Sequence, residues 1–164
     1  TRFDYSGHGI SGGDFNQGSI SRWLEEAQAV YAGTQGPQII VGSSMGGWIA
    51  LLLARALLKA GTPALGLVLV APAPDMTHEL MAPGFTLEEH QAMQASVIET
   101  GCPVTILQGG QDPDVPQSHA IKLVTHLLHD PVTLTLIPDG DHRLSRPQDL
   151  ARLREAVIGL VEAK

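Results

Sequence analysis

Residues Gln38 to Trp48 read QIIVGSSMGGW and set a serine between glycines, Gly42-Ser43-Ser44-Met45-Gly46. The turn falls where the β-branched run Ile39, Ile40, Val41 gives way to the long apolar run Ile49 to Ala54. In a Gly-x-Ser-x-Gly turn the flanking glycines lack the Cβ atoms that would clash in a sharp strand-to-helix reversal, so the serine hydroxyl stands clear of the sheet. The helix that begins there offers unpaired backbone N–H groups to a developing anion. Ser44 is therefore a candidate nucleophile. Two later strand-like runs each end in a residue it would need: Val104 to Gln108 leads to Asp112, and Val132 to Ile137 leads to His142.

A hydroxyl is a poor nucleophile near neutral pH and needs a base suited to the working pH, the role assigned to His142. A carboxylate behind the imidazole fixes its tautomer and stabilises the imidazolium; Asp112 is assigned that role, with Asp114 as second candidate. The competing reading of Asp112 is an exposed acid in the turn QDPDVP, since Asp before Pro is ordinary turn chemistry. His8, in Tyr5-Ser6-Gly7-His8-Gly9, is the second candidate for the base and a plausible loop residue near the pocket. His78, His90, His119, His126 and His129 read as surface residues. No His or Cys pair stands at a ligand spacing joined to a second pair, and no Gly-rich stretch ends in Gly-Lys-Ser/Thr. Neither a metal nor a cofactor is expected.

The elements that must carry these residues alternate. Residues 2–5, 38–41, 64–70, 103–108 and 132–137 read as strands. Ile20, Trp23, Leu24, Ala27, Val30, then Ala120, Leu123, Val124, Leu127, then Leu150, Leu153, Val157, Leu160 recur at helical spacing. This predicts an α/β fold with a mostly parallel sheet of about five strands flanked by helices, in one domain over residues 1–164. LGLVLV at 65–70 is apolar without alternation, as in a strand covered on both faces. Catalytic loops should follow the C-terminal strand ends. The connection 71–85 lacks a strong period and is read as a lid or pocket rim, with Pro72, Met76, Met81 and Phe85 facing an apolar acyl or aryl group. The net charge of −7, from 17 acids and 10 bases, argues against nucleic acid as a partner. No membrane span or leader is visible, and the single cysteine, Cys102, reads as a small apolar filler that fits a reducing compartment. The expectation is a soluble, cytoplasmic protein.

The segments RFDYSGHG, GPQIIVGSSMGGW, DPDVP and DGDHRLSRP together resemble the α/β-hydrolase family, over nearly the whole chain. The match is to the branch of bacterial carboxylesterases related to a mitochondrial palmitoyl-protein thioesterase that is also an acyl-glucuronide esterase. The resemblance implies Ser44 as nucleophile, Asp112 as acid, His142 as base and the Met45 N–H as one oxyanion donor. Against that pattern the chain starts inside the family's fourth strand, without the usual oxyanion loop, and carries a shortened cap between Glu89 and Cys102. One way to close the sheet sets residues 2–5 beside 38–41, so that a backbone N–H of Gly7 or His8 supplies the second oxyanion donor. Sheet surface bared by the missing elements would favour self-association as a homodimer. The reaction expected is hydrolysis of a small-molecule ester or thioester; the alternatives are a catalytically impaired binding module that keeps the triad, and an acyltransferase.

Overall fold

A computed structural model describes residues 1–73 and 97–163. They fall into two compact units, one within residues 1–36 and one comprising 37–73 with 97–163.

The first unit is built on helix α1 (Ile20–Ala32), capped by Ser19, whose hydroxyl accepts from Arg22 N at 3.2 Å. Residues 2–5, expected as a strand, carry none. The later half of this segment is bonded locally: the Asp4 carboxylate accepts from Ile10 N (3.2 Å), the Asp4 carbonyl from Ser11 Oγ (2.7 Å), and the Tyr5 carbonyl from His8 N (2.9 Å). A segment bonded into its own turn has no ladder to offer a neighbour. The ring of His8 lies 5.0 Å from that of Trp23 and 5.2 Å from that of Phe15, and Trp23 Nε1 donates to Ser6 O at 3.1 Å.

The second unit is a parallel sheet of four strands rather than the five expected, β1 (Ile39–Ser43), β2 (Gly66–Val70), β3 (Val104–Gly109) and β4 (Val132–Ile137), in the order β1-β2-β3-β4. Helices α2 (Met45–Lys59), α3 (Gln117–His126) and α4 (Pro147–Glu162) complete it. Every residue of β2 is buried, the outcome its unbroken apolar sequence predicts. Trp48, Ile49, Leu51 and Ala54 of α2 form the core with Leu67, Leu69 and Ile106. A second cluster, Val70, Leu107, Ile137 and Leu144, closes the C-terminal ends of the inner strands. Gly66 leaves room for Leu160 of α4, whose Cδ1 would stand 2.9 Å from a Cβ there.

Successive rows align the strand ends: Ser43 pairs with Val70, Val70 with Leu107, and Leu107 with Thr135. Gly109 then lets the loop after β4 fold back over β3, because a Cβ there would lie 2.5 Å from the carbonyl oxygens of both Gly140 and Asp141. Backbone atoms cannot step aside as a flexible side chain can. Gly109→Ala is expected to lower the free energy of urea unfolding by about 1–3 kcal/mol; an unchanged midpoint would show that the loop moves freely.

Candidate active site

Ser44 joins β1 to α2 with φ 53° and ψ −121°, a conformation that costs a non-glycine residue on the order of 1–3 kcal/mol. The surrounding backbone holds it there. Ser44 N donates to Val70 O at 2.9 Å, while the Ser44 carbonyl accepts from Gly47 N (2.9 Å) and Ala73 N (3.2 Å). The glycines divide the steric work differently from the sequence expectation. A Cβ on Gly42 would collide with the Gly46 carbonyl, and one on Gly47 would stand 3.0 Å from Pro72 Cβ. A Cβ on Gly46 would meet nothing within 4 Å among the described residues. Gly42 is therefore the position where the close approach requires glycine, with Gly47 tightly packed against Pro72.

Asp112 follows β3, and its side chain is fully buried. Oδ1 accepts from Val115 N (2.8 Å) and Asp114 N (2.9 Å); Oδ2 accepts from His142 Nδ1 (2.9 Å) and Gln108 Nε2 (3.1 Å). Burial alone would raise this carboxyl, but the Val115 amide, His142 and the Asp114 amide outweigh it and hold it below the usual aspartate range. The loop from Pro113 to Val115 is thus wound around the carboxylate, and Asp112 rather than Asp114 is the acid hydrogen-bonded to the imidazole.

His142 follows β4, with Nδ1 on Asp112 and Nε2 3.1 Å from Ser44 Oγ. Its loop is fixed from both sides. Asp141 Oδ1 accepts from Leu144 N (2.9 Å) and Arg143 N (3.2 Å), and Leu144, at φ 43°, plugs the core cluster. Arg146 donates from Nε and Nη2 to the Asp149 carboxylate (2.7 and 3.1 Å) and from Nη1 to Asp139 (2.7 Å), which ties the start of the loop to the first turn of α4. Those Arg146 bonds hold the Asp149 carboxyl below its usual range. The non-glycine residues at positive φ among those described are Ser44, Ala71 and Leu144, all at the C-terminal edge of the sheet. Strain concentrated this way is characteristic of a preorganised site.

The structure brings Ser44, Asp112 and His142 together, with Met45 opening α2 beside them. Gly7 and His8 do not have the free amides that an oxyanion donor needs, because Gly7 N donates to Gly12 O and His8 N to Tyr5 O, both at 2.9 Å. Pro72 is buried against the first turn of α2; Met76, Met81 and Phe85 lie outside the described residues. Among the described residues, Asp112, Asp114 and His142 bring three ligand atoms within 4.8 Å of one another. The Asp112 oxygens already accept four hydrogen bonds, so a cation there would have to displace the imidazole. Gln108, Asp141, Leu144 and Arg146 were not singled out from sequence. Only Asp141, two and three residues before amides that need acceptors, carried a local signal for its turn.

A family model described as Hydrolase_4, serine aminopeptidase S33, matches residues 1–98. Mitochondrial palmitoyl-protein thioesterase ABHD10 of Mus musculus is 29% identical over 191 residues, covering 98% of this chain and 64% of that protein. The Homo sapiens protein of the same name is 27% identical, with 98% and 62% covered. This chain therefore spans less than two thirds of those relatives. A crystal structure from Agrobacterium vitis S4, described in general terms as a hydrolase, is 48% identical and superposes with a TM-score of 0.85 over 97% of this chain and 75% of that one. Mouse α/β-hydrolase domain-containing protein 10 shares the fold, with a TM-score of 0.83, 24% identity, and 99% and 77% covered.

Because the folded-state pKa of Asp112 lies below its unfolded value, the stability it contributes is complete above the ordinary aspartate range and is lost as pH falls through the depressed value. Asp112→Asn is expected to flatten the acid loss of stability, measured as the drop in urea-unfolding free energy between about pH 5 and about pH 2. An acid limb identical to the parent's would mean that other carboxylates carry it.

Proposed function

We propose, starting from the fact that the chain belongs to the Hydrolase_4 family (serine aminopeptidase, S33), that it hydrolyses carboxylic esters or thioesters through an acyl-enzyme on Ser44. One observation carries the reading: a serine on a strained elbow, in line with an imidazole and a buried carboxylate, at 3.1 and 2.9 Å. Ser44 Oγ attacks the acyl carbonyl as His142 Nε2 takes its proton. Asp112, held ionised, keeps the other nitrogen protonated and stabilises the imidazolium. The Met45 N–H, in the first turn of α2 where no intrahelical acceptor exists, faces the developing oxyanion. The imidazolium then protonates the departing alkoxide or thiolate. Water then attacks the acyl carbonyl as His142 takes its proton, and the imidazolium returns that proton to Ser44 Oγ as the acyl group leaves as the acid.

Ester and thioester substrates are favoured over amides on two grounds. The curated relatives carry the name of a palmitoyl-protein thioesterase. A thiolate or alkoxide also leaves with less help from a general acid than an amine does.

Purified protein is expected to hydrolyse p-nitrophenyl esters and acyl thioesters, and to lose that activity and its labelling by a fluorophosphonate in Ser44→Ala. Equal rates for parent and variant would sink the nucleophile. On the acid side, kcat/KM should fall with no more than unit slope, because Asp112 is held below the usual aspartate range and stays ionised. A slope of two would place a second titrating group in the site.

A further inference from the structure

We propose that Gln108 is the positioning residue that locks the Asp112 carboxylate in the rotamer facing His142, a role that rests on the reading of Ser44, His142 and Asp112 as one catalytic unit. Gln108 ends β3 one residue before its last and is fully buried. Its Nε2 donates to Asp112 Oδ2 at 3.1 Å and to Val115 O at 2.9 Å, with Gly109 O at 3.2 Å. The amide orientation follows from this set. Turned over, its oxygen would face three acceptors and make no hydrogen bond to any of them.

The same orientation leaves Gln108 Oε1 buried without a hydrogen-bond partner among the described residues. An unpaired buried carbonyl is unfavourable, so an apolar side chain of equal length would be the simpler filler for a strand interior. What the amide alone provides is a pair of N–H groups aimed at opposite ends of the loop that presents Asp112. One hydrogen holds the oxygen that also accepts from His142; the other anchors the carbonyl of Val115, whose own N–H binds the second carboxylate oxygen. With Gln108 in place every acceptor direction of the carboxylate is filled, and rotation about χ2 would break four hydrogen bonds at once. Without it, Oδ2 is free to leave the imidazole, and the tautomer that exposes a basic Nε2 to Ser44 is less populated.

The test uses two nearly isosteric variants of the whole chain. Gln108→Met removes both N–H groups; kcat for ester hydrolysis is expected to fall about ten- to a hundredfold with KM within about twofold of the parent, since the substrate surface is untouched. The low-field Nδ1 proton of His142 is expected to shift or exchange faster in NMR spectra. Gln108→Glu donates to Asp112 only while protonated, and two adjacent carboxylates raise one another's pKa. Its activity should therefore drop to the Gln108→Met level once the glutamate ionises and recover as acid protonates it, opposite in sign to the parent's acid loss. A residue that only fills space would not invert the profile, and if Gln108→Met does not fold, the Glu profile decides. Parent-like kcat and an unmoved Nδ1 proton in Gln108→Met would overturn the proposal and leave the Ser44 reading standing. If Ser44→Ala hydrolyses as fast as the parent, the catalytic reading fails instead, and the Nδ1 proton alone then judges Gln108.

Discussion

The site depends on a row of parallel strand pairing, Ser43 to Val70 to Leu107 to Thr135, that fixes the register of the four strands, β3 and β4 running two residues further to Gly109 and Ile137. Parallel strands all point the same way, so the loops that follow them converge on one edge. Ser44 leaves the row at once, Asp112 after the turn that Gly109 and Gly110 begin, and His142 after a loop folded back over Gly109. A slip of one residue in any pair would turn that strand's side chains to the opposite face and carry its functional residue away from the others. The burial of β2 on both faces makes such a slip costly, because each of its five residues would trade a packed environment for a different one.

Around this row the protein stores strain and satisfies charge in separate places. The strain sits in the backbone at Ser44, Ala71 and Leu144, each followed or flanked by a bond that holds it. The charge sits in Asp112 and Asp149, two carboxylates with no exposed surface, each surrounded by donors. Asp149 meets a guanidinium in a bidentate pair, the geometry suited to a carboxylate. Asp112 meets amides and an imidazole, weaker donors that leave its field directed at the one ring able to gain a proton.

How much of this a reader of the sequence could see follows from how local each cause is. The elbow was legible because its glycines sit within two or three residues of the serine, and the sheet was legible because strands such as Gly66–Val70 have no polar alternation. The identity of the steric contacts was not, since Pro72 reaches Gly47 only after the chain has crossed to the next strand. Residues 2–5 carry strand-forming types, yet Asp4 organises a turn with Ile10 and Ser11 that propensity does not encode. The choice between Asp112 and Asp114 was open on spacing; in the structure His142 Nδ1 meets Asp112, whose other oxygen is held by the Asp114 and Val115 amides. Gln108 was invisible, because a glutamine at a strand end announces nothing until the loop that follows has closed over it.

The hydrogen bond that Ser44 Oγ donates to His142 Nε2 joins residues 98 apart in sequence, whereas the elbow is made within a single strand-helix step and its nearest strand neighbour. Contacts so distant in sequence require a large loss of chain entropy before they form, so they come late as the chain folds. The elbow's own contacts are local and do not require the loop that carries His142. A chain in which β4 has not docked therefore presents the Ser44 hydroxyl with no imidazole beside it, and that contact is completed only when the last strand is in place.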